Sequence, residues 1–519
     1  MSSIPACITR DNLTSPYWPN TSRTALWSIV VLGAVFLFTG FNRLNHSDLW
    51  AHVNFGHWIA THRALPAIDP FAANPSQSLV LNSAWLSQLL FFATYANLGN
   101  EGLVLVHSLL VSLTAGVLML ATYRRGVSGV FAAMAGLAFL LLALPIVGTV
   151  RPQLFGQLGL ALFLLAIAEL PRRKRALLWL PLVAALWANL HGSLPIGLAV
   201  LAIHALANTI NVWSRNGNLL DRPTTNDVMF LWFALAISTL AGCVNPHGPA
   251  IYAEILGFGR HAALAAVSEW RALTAASLTG TLFLLSLALT AVVARYSNRR
   301  WPLSDVLLLA IFGISLLTAI RMQAWWALVW PFTIWPHANA VWMRSAGSDR
   351  VPATPVAEHQ PTAMRTLVAT GFIFMTLVVA PPTFSFIAGR ARGEGLILSS
   401  DTPIYVADEA IRRNLAGGIA APFDWSDFLT FKTGGQLKPL VHTHVHLASQ
   451  SSWQAYEAIF RGDPDWLASL KQQQMRYLLV PRGRAANLAK LVQNEDRSNR
   501  NQLRIIYQDQ RCVLAEIVL

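Results

Sequence analysis

The sequence predicts a polytopic α-helical membrane protein with about eleven transmembrane helices, a juxtamembrane helix and a C-terminal extracytoplasmic α/β domain. Hydrophobic residues make up 54% of the 519 residues and charged residues only 12%, against the ~25% charged residues of soluble domains. Apolar runs of roughly 17–21 residues recur, and each is long enough to cross the hydrocarbon layer of a bilayer. After about residue 390, shorter apolar segments alternate with helical patterns, which indicates a small mixed domain.

The apolar runs predict eleven membrane spans. They lie near residues 25–41, 102–122, 127–146, 153–170, 176–190, 194–212, 227–243, 279–294, 303–319, 323–341 and 365–388. The apolar segment 83–98 is shorter and carries Ser, Gln, Thr and Asn, so we interpret it as a juxtamembrane helix. This choice places the basic residues at 124–125, 172–175 and 299–300 in the cytosol, as the positive-inside rule favours.

This threading divides the chain into three parts. Residues 1–24 are a cytoplasmic tail, residues 25–388 form the membrane domain with a long first outer loop at 42–101, and residues 389–519 form the extracytoplasmic domain. A linker rich in Pro, Ser and Ala, 345–362, precedes the last span. In the C-terminal domain we predict strands at 403–406, 439–445, 477–480, 503–507 and 512–518, and helices at 407–415, 452–461, 465–473 and 484–493.

Charge and cysteine content exclude several function classes. The net charge of +13 lies mostly in short loops of the membrane part, where it orients the protein, so nucleic-acid binding is not predicted. Cys7, Cys243 and Cys512 are far apart and show neither a disulfide framework nor a zinc pattern. The N-terminus lacks the features of a cleaved signal peptide, so the first apolar run is predicted to be an uncleaved span.

Acidic, histidine and arginine side chains gather on the predicted outer face. Ionisable groups near the hydrocarbon layer are expensive, so a converging set of them is a functional-site hypothesis. The candidates are Asp48, His52, Asp69, Arg151, His191, His247, Glu269 and Arg321.

Asp48 and His52 open the long outer loop and, four residues apart, share one face of a predicted helix. A carboxylate beside an imidazole suits proton abstraction from a hydroxyl group. The alternative is an interfacial helix that its tryptophans anchor at headgroup depth. His46 with Asp48 and His52 could also hold a divalent metal ion, so a metal cofactor remains open. Asp69, before a proline, is either a site residue or an ordinary turn residue.

Arg151 and Arg321 lie at tight hairpin tips on the outer side, where the positive-inside rule does not place them. A guanidinium group binds phosphate oxygens through paired hydrogen bonds, so both are candidates for phosphate binding. Contact with ordinary lipid headgroups is the alternative. His191, His247 and Glu269 are candidate cavity residues on the same side. His442, His444 and His446 alternate along a predicted strand, and we expect them on a solvated face rather than at a metal ion.

These motifs together resemble the GT-C superfamily of polytopic glycosyltransferases. The resemblance rests on the segments SDLWAHVNFGHWIATHRALPAIDPF, NSAWLSQLLFFATYANLGNEGL, VRPQLFG, LWANLHGSLPIGL, NPHGPAIY with SEWRAL, and PFDWSDFL, which cover most of the chain. The most similar branch is bacterial and related to the protein mannosyltransferases and aminoarabinose transferases. Relatives commonly carry Asp-x-Arg where this chain has VHTHVHL, so the tail departs from their pattern.

The resemblance implies a function and roles for the candidates. GT-C enzymes transfer a sugar from a polyprenyl-phosphate carrier at the outer membrane face, here the bacterial inner membrane. The acceptor would be a glycan, lipid or protein. By position, Asp48 corresponds to the general base, Asp69 to a second loop acid and Arg321 to a phosphate clamp. His52, Arg151, His191, His247 and Glu269 become cavity residues without fixed roles.

Two other functions fit the sequence less well. A secondary transporter of a lipid-linked or anionic substrate would have paired, broken helices near the middle of the membrane and matching halves. Neither feature is evident in the sequence. The third possibility is a non-catalytic assembly protein that binds envelope glycan through residues 390–519, and an assay of sugar transfer from membrane lipid would separate it from an enzyme.

Overall fold

The computed structural model describes residues 22–45, 48–77, 79–214, 224–259, 263–264, 267–346, 362–498 and 502–518. Fourteen helices of the described residues precede the C-terminal domain. They are α1 Arg23–Phe41, α2 Leu49–His62, α3 Trp85–Arg124, α4 Gly129–Ala143, α5 Gln153–Glu169, α6 Leu180–Leu190, α7 Leu194–Trp213, α8 Thr225–Ala241, α9 Ala250–Phe258, α10 Leu278–Tyr296, α11 Leu303–Thr318, α12 Gln323–Ser345, α13 Ala363–Val379 and α14 Pro381–Ile387.

Each of the eleven predicted spans contains a helix at nearly the predicted position. Four of the described helices, α1, α3, α7 and α10, are long and apolar enough to cross a membrane, and α13 with α14 makes a fifth if the bent pair counts as one span. Helices α4, α5, α8 and α11 are apolar but shorter. The span count of eleven therefore stays a prediction.

Two of the predicted spans adjoin breaks in the helices. Gly99 interrupts α3 with a φ of 61°, a conformation that glycine adopts without steric cost. It separates the predicted juxtamembrane helix from the predicted span that follows. The last predicted span is not straight, because α13 and α14 meet at 79°. Pro381 and Pro382 begin α14 and cannot continue the hydrogen-bond ladder of α13.

The core of the membrane part surrounds α12. Nearly the whole length of this helix is buried, including Trp325, Trp326 and Trp330. The Trp326 indole donates to Ser286 at 3.0 Å and the Trp330 indole donates to Thr290 at 2.8 Å, which satisfies both polar groups and fixes α12 against α10.

Ion pairs among the predicted cytosolic residues lie at the end of the helices remote from the candidate site. Arg125 contacts the buried Asp305 at 2.6 Å, and Arg124 contacts Glu169 at 2.8 Å. Arg151 precedes α5 and Glu169 ends it. The two sets of charges are therefore about one helix length apart, and the assignment of each set to a side of the membrane stays a prediction.

The C-terminal domain contains a five-stranded sheet and six helices among its described residues. The strands are β1 Gly417–Ala420, β2 Leu437–Pro439, β3 Tyr477–Pro481, β4 Leu503–Gln508 and β5 Cys512–Ile517, in the order β2-β1-β3-β5-β4. Strand β1 pairs in parallel with β2 and β3, and β5 is antiparallel to β3 and β4. The helices are α15 Glu394–Ile397, α16 Ile404–Arg412, α17 Phe423–Lys432, α18 Gln450–Arg461, α19 Trp466–Gln472 and α20 Ala486–Arg497.

Several predictions for this domain were wrong. The segment 403–406 belongs to helix α16, whose buried Val406, Ala407 and Ala410 follow helical spacing. Only the first residue of the predicted strand 439–445 lies in a strand, because β2 ends at Pro439. Leu440 N–H still donates to Ile419 O of β1 at 2.8 Å, but the N–H groups of Thr443 and His444 bond to side chains. Strand β1 and helix α17 were not predicted. The three-part division of the chain stays a prediction, and the linker lies mostly outside the described residues.

Candidate functional site

Asp48 immediately precedes α2, at the entrance of the first outer loop. Its carboxylate accepts a hydrogen bond from Nε of Arg151 at 2.7 Å. Nη1 of the same arginine donates to the carboxylate of Glu269. One guanidinium therefore joins carboxylates from two of the predicted outer loops.

The pKa of Asp48 reflects two opposing effects. Partial burial raises it, but the charge of Arg151 and the hydrogen bond from His52 outweigh burial and hold it well below its usual range. The pKa of Arg151 is raised by the two carboxylates despite its own burial. Asp48 is therefore ionised at neutral pH.

Arg321 lies in a short 3-10 turn, Ile320–Met322, beside the turn that carries Glu269. The two turns are joined by the backbone bond from Ile320 N to Arg271 O at 3.0 Å. The Arg321 guanidinium lies 4.2 Å from the ring centroid of Trp270, a cation–π contact. It forms no hydrogen bond or ion pair with another residue of the described ranges, so its donors remain available for a ligand.

His191 directly follows α6 at a hairpin tip. Its Nδ1 lies 2.6 Å from the Ser193 hydroxyl, which also accepts the Trp187 indole N–H at 3.0 Å. Burial and the charge of Arg321 lower the pKa of His191 to about 3, so the ring is neutral. A Cβ on Gly156 would lie 2.5 Å from the Ser193 hydroxyl, so only glycine lets α5 approach this tip.

His52 lies one turn into α2, with Nε2 at 3.6 Å from the Asp48 carboxylate. The opposite ring nitrogen, Nδ1, lies 3.4 Å from the amide nitrogen of Gln88 on α3. The ring of His444 lies 4.9 Å from the His52 ring, measured between centroids. His52 is therefore buried among the outer loop, α3 and the C-terminal domain.

His247 and Asp69 lie beside this cluster but do not touch it. His247 accepts a hydrogen bond from the backbone N–H of Asn82 at 3.0 Å. Asp69 forms a buried ion pair with His442 at 2.6 Å. Asp69 also accepts the Phe71 N–H at 3.0 Å, as a turn residue does.

The pair of Asp69 and His442 joins the outer loop to the C-terminal domain. Burial disfavours the charged imidazole, but the carboxylates of Asp69 and Asp427 outweigh it and raise the pKa of His442 to about 9. The charge of His442 holds the pKa of Asp69 below its usual range against burial. Asp427 also accepts the Thr443 N–H at 3.1 Å, which holds this segment in place.

The predicted solvated face of His442, His444 and His446 was wrong. His442 is buried, and successive rings lie 5.7 Å apart in a row. His442 and His444 face the first outer loop, and the ring of His446 contacts Phe258 of α9. Their alternation in the sequence indicated that the three side chains share a face, but the sequence did not show which part of the protein packs against that face. The described residues hold no group of three or more His, Cys, Asp or Glu side chains arranged for a metal ion, and His46 lies outside them.

Comparison with solved structures identifies the fold. The Archaeoglobus fulgidus oligosaccharyltransferase matches with a TM-score of 0.52 and 13% identity over 88% of this chain and 69% of its own. The mycobacterial arabinofuranosyltransferase AftD matches with a TM-score of 0.53 and 15% identity over 97% of this chain and 41% of its own. The fold is that of the GT-C glycosyltransferases. No protein-family model matches the sequence, and no curated protein matches it significantly.

The GT-C fold agrees with the sequence resemblance, which rested on motifs around the outer loops. At these identities the likeness shows the fold and not the activity. Another structure of the Archaeoglobus enzyme contains an inhibitory peptide and a dolichol-phosphate, and it matches with a TM-score of 0.51 and 13% identity over 88% of this chain and 69% of its own.

Proposed function

We propose that this protein is a membrane glycosyltransferase that moves a sugar from a polyprenyl-phosphate donor to an acceptor at the outer face of the bacterial inner membrane. Asp48 is the general base and Arg321 the phosphate clamp, and eleven helices span the membrane with residues 389–519 outside. The observation that carries the proposal is the Arg321 guanidinium, which has no ion-pair partner among the described residues and lies beside the Asp48, Arg151 and Glu269 cluster. The dolichol-phosphate bound to the Archaeoglobus enzyme supports a lipid-linked donor.

The arginines suit the leaving group of this reaction. Breaking the bond between the sugar and the lipid phosphate leaves a phosphate anion, and a fixed guanidinium stabilises the charge that develops on it. Arg321 offers its donors without first giving up an ion pair, and Trp270 holds its guanidinium plane. Arg151 adds a second positive charge, but two carboxylates already bind it.

Asp48 must change partners before it can act as a base. While Arg151 and His52 hold its pKa low, it is a weak proton acceptor. A donor phosphate competes with the carboxylates for Arg151, because all three are anionic ligands of one guanidinium. As Arg151 turns towards the phosphate, Asp48 becomes a stronger base for the acceptor hydroxyl.

Transfer of radiolabelled sugar from membrane lipid to acceptor in bacterial membranes tests the proposal. Asp48→Asn should reduce transfer by roughly 10²- to 10⁴-fold, the usual contribution of a general base, while the protein level stays unchanged. Arg321→Gln should weaken donor binding. The exposed Arg271 nearby supplies the matched control, and Arg271→Gln should retain transfer. Full transfer by Asp48→Asn would show that the assigned base is wrong.

A further inference from the structure

A chain of buried amide groups connects the two candidate histidines His52 and His247. Asn82 and Gln88 are both buried and lie between the rings. Both belong to a motif noted in the sequence, but neither carries a charge, so neither was a candidate site residue. Hydrogen bonds within this chain determine which nitrogen of each ring carries its proton.

The direction of the hydrogen bonds in this chain follows from a backbone N–H, which can only donate. Ala84 N donates to the side-chain oxygen of Asn82 at 3.1 Å, so the amide nitrogen of Asn82 points the other way. That nitrogen donates to the side-chain oxygen of Gln88 at 2.7 Å. The amide nitrogen of Gln88 is therefore the group that faces His52 Nδ1, at 3.4 Å.

An amide nitrogen can only donate, so His52 Nδ1 must accept and carries no proton. In a neutral imidazole the proton is then on Nε2, the atom that lies 3.6 Å from the Asp48 carboxylate. The same reasoning applies to His247, whose Nε2 accepts the backbone N–H of Asn82 at 3.0 Å. Its proton is therefore on Nδ1.

We infer that Gln88 and Asn82 are positioning residues, which fix His52 as the tautomer that presents the Nε2 proton to the Asp48 carboxylate. His52 then stabilises the Asp48 carboxylate and cannot itself take a proton on that side. His247 anchors the other end of the chain. The inference rests on the proposed function only for the role of Asp48 in transfer.

Close packing of α2 on α3 holds the donor in place. A Cβ on Gly56 would lie 2.1 Å from the backbone oxygen of Gln88, so glycine lets the two helices approach. Other titratable groups face His52 from separate elements: Asp48 precedes its own helix, His444 comes from the C-terminal domain, and His191 from the tip after α6. None of these donates to Nδ1 of His52.

Nitrogen NMR of the full-length protein, labelled at histidine and held in detergent, tests the tautomer directly. The His52 signals are identified by their loss in His52→Gln. In the unaltered protein we expect an Nδ1 that carries no proton and accepts a hydrogen bond, and an Nε2 that is protonated. A protonated Nδ1 would overturn the inference, and this measurement needs no variant of Gln88 to fold.

Gln88→Met keeps the length of the side chain but removes the donor. We expect the second tautomer of His52 to appear in this variant. Gln454→Met, at an exposed position of α18, should leave the His52 signals unchanged. Unchanged signals in Gln88→Met would also overturn the inference.

A transfer assay separates this inference from the proposed function. Gln88→Met should lower kcat, because an Asp48 carboxylate that no longer faces the Nε2 proton of His52 loses its orientation towards the acceptor hydroxyl. KM for the lipid donor should stay unchanged, because the phosphate clamp is untouched. An unchanged kcat in a variant with a mixed tautomer would overturn the positioning role. If the NMR result is as expected but Asp48→Asn retains transfer, the proposed base fails while the assigned tautomer stands.

Discussion

At the scale of single residues, the candidate site balances two carboxylates against two guanidinium groups. Asp48, Glu269 and Arg151 neutralise one another in part, and Arg321 contributes a positive charge without an ion-pair partner among the described residues. The sequence predicted every one of these residues, because a charge on the outer face is conspicuous in an apolar chain. It did not predict Gln88 or Asn82, since a neutral amide in a helix or loop carries no such signal.

The buried pair of Asp69 and His442 makes stability depend on pH. His442 has a pKa of about 9 against an ordinary value of 6.5, so its contribution is complete below pH 6.5 and is lost as pH rises through 9. Asp69 has a lowered pKa, so its contribution is present above its ordinary value of 3.8 and is lost on acidification. The pair therefore stabilises the protein most between these limits.

We expect Tm of the detergent-solubilised protein to fall between pH 7 and 9.5. The fall should be smaller in His442→Gln, which lacks the titrating group. His62→Gln, at an exposed position, serves as the control and should follow the unaltered protein. An equal fall in His442→Gln would contradict the assignment.

At the scale of elements, apolar runs located the helices, but short segments were ambiguous. A run of about 17 apolar residues has one stable form in a bilayer, so its position was predictable. A four-residue segment such as 403–406 fits a strand or a helix equally well. The alternating histidines suggested a strand for a similar reason, although contacts with Asp69 and Asp427 hold that segment instead.

Gly56→Ala tests the close approach of α2 and α3. The added methyl group would meet the backbone of Gln88, which cannot rotate away, so the helices must separate. We expect a loss of roughly 1–3 kcal/mol in the free energy of unfolding. Gly371→Ala in α13, where nothing lies within 4 Å, should cause no loss. Thermal unfolding of both variants in detergent measures the difference, and equal stability would contradict the packing argument.

At the scale of the whole molecule, the C-terminal domain packs against the first outer loop at several places. Leu44 forms a bridge with Leu398, Asn54 donates to Asp427 O at 3.1 Å, and Pro75 forms a bridge with Ala448. These contacts place His442 and His444 beside the candidate site. No local pattern in the sequence reports contacts between residues more than 350 positions apart, so this docking could not be predicted.

The ion pair between Glu101 of α3 and Arg392 joins the membrane part to the C-terminal domain, so removing it tests how far each part stabilises the other. Glu101 is buried just after the Gly99 break, and Arg392 reaches it with Nε and Nη2, both at 2.8 Å. Glu101→Ala leaves Arg392 without its partner, and breaking a buried pair costs about 3–5 kcal/mol; partial exposure of Arg392 puts our expectation at the lower end. Asp401→Ala, at an exposed position, should have little effect on Tm.

The orientation of the chain in the membrane is the last prediction at this scale. Arg173 lies with the basic residues after α5, and Arg412 ends α16 of the C-terminal domain. The positive-inside rule places Arg173 in the cytosol, and the docking of the C-terminal domain on the first outer loop places Arg412 on the opposite side. Single cysteines at these positions, in a background without other cysteines, should react differently with a membrane-impermeant reagent in intact cells. Labelling at Arg412→Cys alone is expected, with Arg173→Cys labelled only after lysis. Equal labelling of both in intact cells would contradict the threading, and with it a donor site open to the outer face.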